Sequence, residues 1–142
     1  MKGKNGFFLA VVIFLAVFFL FAPYRNANTF NFALDTDSFT VTGPEDFAFT
    51  VSYDQIERME LFELSDPGSA VNGSENRSIR WGEWENSVFG KYTVCAAKRT
   101  DTVILITTRE NAYFAFNYHT QKETEKIYQA FSEWIEQQTQ ES

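Results

Sequence analysis

The chain has 142 residues and a net charge of −7, with 12 Lys+Arg against 19 Asp+Glu and a single cysteine. One cysteine excludes an internal disulfide, and the acidic balance opposes binding to nucleic acid. Aromatic residues make up 18% of the chain, enough to fill a dense core, and the length suits one folded domain rather than two.

The first element is apolar on every face. Phe7, Phe8, Leu9, Ala10, Val11, Val12, Ile13, Phe14, Leu15, Ala16, Val17, Phe18, Phe19, Leu20, Phe21 and Ala22 include no polar side chain. As a helix this run rises about 24 Å against a hydrocarbon core of about 30 Å, and Gly6 with Pro23–Tyr24 brings it nearer to spanning length. Lys2 and Lys4 precede it, and only Arg25 follows directly. The positive-inside rule then puts the N-terminus in the cytoplasm and the rest outside. A cleaved signal peptide shares the basic start and apolar run. The nearest cleavage points do not suit a peptidase. A cut after Ala22 meets Pro23 and has Leu20 three residues back, and a cut after Ala27 has Arg25 there. The expectation is an uncleaved, single-pass signal anchor in the cell membrane, with tip and span at 1–24 and a polar stalk at 25–29. Beyond residue 25, nine cations face nineteen acids, a balance of −10 that also opposes anionic lipid headgroups.

A domain is expected over 30–138. Phe30, Phe32 and Leu34 alternate with Asn31 and Ala33, the period of a half-buried strand. Asp35-Thr36-Asp37 turns the chain into a second strand with Phe39 and Val41, and Gly43-Pro44-Glu45-Asp46 ends that hairpin. Phe47, Phe49 and Val51 make a third strand and Met59, Leu61, Phe62 and Leu64 a fourth. The change of face between Leu61 and Phe62 predicts a bulge or an early strand end there. Residues 65–76 read as a long loop rich in Ser, Gly and Asn. A short strand is expected at 79–82, and a turn around 85–87. Three clear strands follow at 92–99, 103–108 and 113–118, reading as a meander of hairpins. The middle one is continuously apolar, as in a strand buried on both faces.

The last element has helical spacing. Ile127, Ala130, Phe131, Trp134 and Ile135 form one apolar stripe opposite Glu125, Gln129, Glu133 and Glu136. Thr120 with Glu123 forms a capping box at its start. The stripe is expected to dock on the domain's own sheet. Residues 139–142 form a tail.

The sequence carries no recognisable reactive constellation. Cys95 lies in a strand-like run with no base beside it and reads as a small buried apolar residue. His119 stands alone before the helix. Asp35-x-Asp37 lacks the other ligands of a calcium loop, no Cys/His cluster marks zinc, and no glycine-rich loop precedes a helix. No catalytic residue, metal or cofactor is expected. Asn72-Gly-Ser and Asn76-Arg-Ser match the glycosylation pattern, which has meaning only in a eukaryotic secretory pathway, and otherwise mark exposed chain. Arg77, Arg80 and Trp84, near Trp81, Glu83 and Glu85, combine residue types common at interface hot spots. Either a partner docks on Trp84 with Arg77 or Arg80 pairing an acid, or Trp81 and Trp84 are core with arginine stems over them.

VSYDQIERMEL at 51–61, WGEWENSVFGKY at 81–92, ILITTRENAYFAFN at 104–117 and ETEKIYQAF at 123–131 resemble the bacterial pleckstrin-homology-like domains, which are often attached to membrane spans. The resemblance covers about residues 28–136. It implies a mainly β barrel of two nearly orthogonal antiparallel sheets, about seven strands in all, capped by the C-terminal helix. It brings no catalytic set. Phosphoinositide-binding relatives carry Lys and Arg between the first two strands, where this chain has Asp35-Thr36-Asp37, so phosphoinositide binding is not expected. The resulting expectation is a membrane-tethered, non-catalytic module that recognises a protein or peptide at the extracytoplasmic face, by strand addition to an open barrel edge or through the Arg/Trp surface. The alternatives are a barrel that binds a small ligand or lipid, and an enzyme in which carboxylates, or His119 with a carboxylate, converge in a cleft.

Overall fold

The computed structural model describes residues 31–141, with side chains through 138. The expected anchor, Phe7–Ala22, lies outside the described residues. Among those described, no helix is long and apolar enough to cross a membrane. The fold is mainly β, with two sheets and one C-terminal helix.

The first sheet is formed by β1 (Asn31–Leu34), β2 (Ser38–Thr42) and β3 (Ala48–Ser52), an antiparallel ladder in that order. Period-2 alternation sends Phe32, Phe39, Val41, Phe49 and Val51 into the core. It leaves Ala33, Thr42, Ala48, Thr50 and Ser52 exposed on the other face. The β2–β3 turn carries two consecutive non-glycine residues at positive φ, Glu45 at 57° and Asp46 at 62°. Phe47 N–H donates to Pro44 O across them at 3.0 Å, the arrangement of a type I′ turn.

The second sheet holds β4 (Ile56–Glu63), β5 (Ser69–Glu75), β6 (Ile79–Asn86), β7 (Gly90–Ala97), β8 (Thr102–Thr108) and β9 (Tyr113–Phe116), in the order β4-β8-β9-β7-β6-β5. Five expectations need correction. The described residues hold nine strands rather than about seven. Residues 69–75 form a strand, not part of a loop. As an edge strand it needs no buried face, so its Ser, Asn and Gly give no alternation to read. The bulge in β4 falls between Ile56 and Arg58, and the register runs unbroken through Leu61 and Phe62. Met59 and Phe62 pack against different clusters on the two faces, which breaks the pattern without breaking the ladder. The turn after β6 is at 87–89, because β6 runs through Trp84 to Asn86. Finally, the last three strands are no meander: β9 inserts between β8 and β7, antiparallel to the first and parallel to the second.

That insertion is held by one side chain. Asn117 follows β9, is 2% exposed, and reaches the ends of both neighbouring strands. Its Oδ1 accepts from Ala97 N–H at 2.7 Å, and its Nδ2 donates to Ala97 O and Thr102 O, each at 3.1 Å.

The second sheet is strongly curled. β4 and β5 are its opposite edges, about 24 Å apart if six strands lay flat. The chain from Glu63 to Ser69 reaches about 21 Å at most, and it also runs from one end of the sheet to the other. The sheet therefore rolls, and Leu64–Gly68 straps its concave face. Tyr92 Oη donates to Pro67 O at 2.7 Å and Asn86 Nδ2 to Asp66 O at 3.0 Å. Gly68 closes the strap at φ +79°, where an added Cβ would stand 1.8 Å from Glu85 O. The strap's own Leu64 joins Trp84, Tyr92, Val94 and Leu105 in one buried cluster.

The helix, α1 (Gln121–Glu141), covers the core between the two sheets. Glu123 N–H donates to Thr120 Oγ1 at 3.2 Å, as the capping box predicts. Ile127, Ala130, Phe131 and Trp134 are all buried. The Phe131 ring meets Phe39 edge-on at 4.7 Å, with Phe116 at 6.1 Å and Phe32 at 6.2 Å. Trp134 Nε1 donates to Tyr53 Oη at 2.9 Å, and Tyr53 Oη donates to Asp35 O at 2.7 Å, fastening the helix to the β1–β2 turn.

Candidate functional site

Of the residues singled out by type, Arg80 and Trp84 meet in one packed corner. Trp84 is 5% exposed and donates from Nε1 to Trp81 O at 3.1 Å, so Trp81 and Trp84 are core. The Arg80 guanidinium lies over the Trp84 ring at 5.0 Å, with Nε 3.7 Å from Glu75 Oε2. Arg77 is exposed in the β5–β6 turn. Lys98 Nζ completes this corner, 3.4 Å from Glu75 Oε2. The cluster braces the end of the sheet through arginine stacked on a buried ring.

Burial also removes the one thiol from chemistry. Cys95 is fully buried, and desolvation pushes its pKa up to about 12. His119 sits in the left-handed region, φ 52°, with its ring edge-on to Tyr118 at 4.2 Å. Among the described residues no group of three His, Cys, Asp or Glu could hold a metal ion.

A different place in the fold offers a built surface. β3 is an edge strand whose outer side pairs with no other strand among the described residues. The phase of its ladder fixes where its backbone points. Gly43 N–H donates to Phe47 O and Tyr53 N–H to Asp37 O, so the odd-numbered residues of β2 and β3 form the hydrogen-bonded pairs. Thr40–Thr50 and Ser38–Ser52 are then non-bonded pairs, consistent with the close Thr40–Thr50 Oγ1 contact of 2.8 Å. The N–H and C=O groups of Thr50 and Ser52 therefore point away from β2.

Beside this edge lies a groove of about 210 Å³ lined by Thr50, Val51, Ser52, Gln55, Thr108, Glu110, Ala112 and Phe114. The far wall is the β8–β9 hairpin. Its tip is fixed by Arg109, whose N–H donates to Gln55 O at 2.9 Å and whose Nε donates to Asp54 O at 2.8 Å. Asn111 supplies the left-handed residue of that tip, φ 65°, and Phe49 against Phe114, 5.0 Å between ring centres, ties β3 to the base of the hairpin. The groove sits where the chain passes from the first sheet, through the short 3-10 turn Tyr53–Gln55, into the second. Its volume falls below the ~300 Å³ lower bound of small-molecule pockets. It suits a side chain of a longer extended ligand.

Nothing in sequence spacing marks this groove, because β3 and the β8–β9 hairpin are some sixty residues apart. The alternation of 47–51 and the turn at 109–111 were its only legible parts. Comparison of the chain with protein-family models, with curated proteins and with solved structures finds no match, so the site stands on its own geometry.

Proposed function

We propose that this protein is a membrane-tethered, non-catalytic interaction module that receives an extended segment of a partner protein on the free edge of β3. The observation that carries this reading is the outward backbone of Thr50 and Ser52 beside a groove with a fixed far wall. A strand laid there gains main-chain hydrogen bonds on one side and side-chain contact with Phe114 and Ala112 on the other. β5, a terminal strand of the larger sheet, is less suited. The register shift between Ala70 and Asn72 disturbs its ladder, a device that blunts edges.

The membrane tether rests on Phe7–Ala22 and its flanking charges, and the partner is then met at the extracytoplasmic face. Two sheets with a helix over their shared core support the likeness to pleckstrin-homology-like domains. The parallel β7–β9 pair departs from the all-antiparallel sheets of that family.

Site-specific photo-cross-linking in membranes tests the proposal. A photoreactive residue at Ser52 should give adducts that one at Thr42, on the same sheet face but away from the groove, does not. Thr50→Pro removes an outward N–H, which an edge strand tolerates, and should abolish the Ser52 adducts. Equal adducts at both positions, or adducts unchanged by Thr50→Pro, would overturn it.

A further inference from the structure

We infer that the segment received by β3 is basic and presents a Lys or Arg side chain to Glu110. This rests on the β3-edge reading above and names the chemistry of its occupant. Of the groove's lining residues one is charged, Glu110, and none is Lys or Arg. Glu110 is exposed and belongs to no ion pair among the described residues. Asp54 and Glu57 are exposed beside the same end of β4. The nearest cation, Arg109, has its Nε committed to Asp54 O.

Three cations share this end of the sheet without lining the groove: Arg109, Arg58, whose Nε pairs with Glu60 Oε2 at 2.8 Å, and Lys91, which stands opposite Glu85. The β8–β9 turn lies at the end of the second sheet where β7 begins. Arg77, Arg80, Lys98 and Arg99 gather at the end where β7 finishes. An acidic segment on β3 would meet carboxylate; a basic one meets complementary charge.

The wall chemistry points the same way. Phe114 and Ala112 line the same groove as Glu110 and set apolar surface beside its carboxylate. A long basic side chain matches both at once, its methylenes on the ring and its charged head at Glu110.

The test uses the full-length protein in detergent micelles and three fluorescein-labelled heptapeptides. These are TVTVKVT, its Glu counterpart TVTVEVT and the neutral TVTVTVT, with binding read by anisotropy and hydrogen exchange followed at Thr50 and Ser52. The lysine peptide should bind about five-fold tighter than the glutamate peptide at low ionic strength, a ratio that shrinks with added salt. Glu110→Gln should bring the ratio close to one, whereas Glu125→Gln, on the exposed face of α1, should not. Protection of Thr50 and Ser52 by all three peptides with equal affinities would overturn the charge inference and leave the edge reading intact. A preference for lysine that survives Glu110→Gln would also overturn it. No protection at Thr50 and Ser52 by any peptide would remove the edge reading, and this inference with it.

Discussion

At the scale of the residue, the fold depends on buried polar groups more than its aromatic content implies. Asn117 makes three hydrogen bonds to main-chain groups with almost no access to water. Asn117→Ala leaves a buried N–H and two carbonyls without that partner, and should cost about 3 kcal/mol in urea unfolding. Asn117→Asp keeps an acceptor for Ala97 N–H but sets a carboxylate against two carbonyl oxygens, and should cost at least as much. Two tyrosines and the thiol give a signature at high pH. Burial raises Tyr53, Tyr92 and Cys95 each to about 12, against ordinary values of 10.0, 10.0 and 9.0. The folded state thus holds protons that the unfolded chain has already released, and stability falls as pH rises from about 9 toward 12. Midpoints of urea unfolding measured across that window should decline. Tyr92→Phe should flatten the decline above pH 10, since it removes one of the groups that titrate only when unfolded.

At the scale of the element, what could be read from the chain was what local periodicity encodes. The alternation of Phe32, Phe39, Val41, Phe49 and Val51 defined three strands, and the spacing of Ile127, Phe131 and Trp134 defined the helix and its buried face. β5 was hidden because an exposed edge has no apolar side to declare. The parallel pairing of β9 with β7 was hidden because a strand's neighbour is chosen by tertiary contacts, here sealed by Asn117, and not by its own composition. The groove was hidden for the same reason, being made by two elements that meet only in the fold. The β2–β3 turn shows a further mismatch between local preference and the whole. Glu45 and Asp46 both occupy positive φ, where Asn and Gly are preferred. Replacing the pair by Asn-Gly should relieve strain and raise stability by about 1 kcal/mol in thermal or urea unfolding. An unchanged or lowered midpoint would mean that the carboxylates offset the backbone cost through contacts of their own.

At the scale of the molecule, the proposed function needs the groove to face the right compartment, and the argument for this rests on very few charges. Lys2 and Lys4 stand before the apolar run and Arg25 directly after it. The domain beyond carries a net −10, but acidic residues count little in setting orientation, and long translocated segments follow the charge near the span. Orientation should therefore be reversible by changing two residues outside the described part of the chain. Lys2→Glu with Lys4→Glu leaves Arg25 as the only flanking cation and should retain the domain in the cytoplasm. Protease added to intact spheroplasts should digest the wild-type domain and spare that of the double variant, with both digested once the membrane is lysed. A wild-type domain protected in intact spheroplasts would place β3 on the cytoplasmic side and redirect the search for its partner there. A domain released into the medium would mean that the leader is removed and that the module acts untethered.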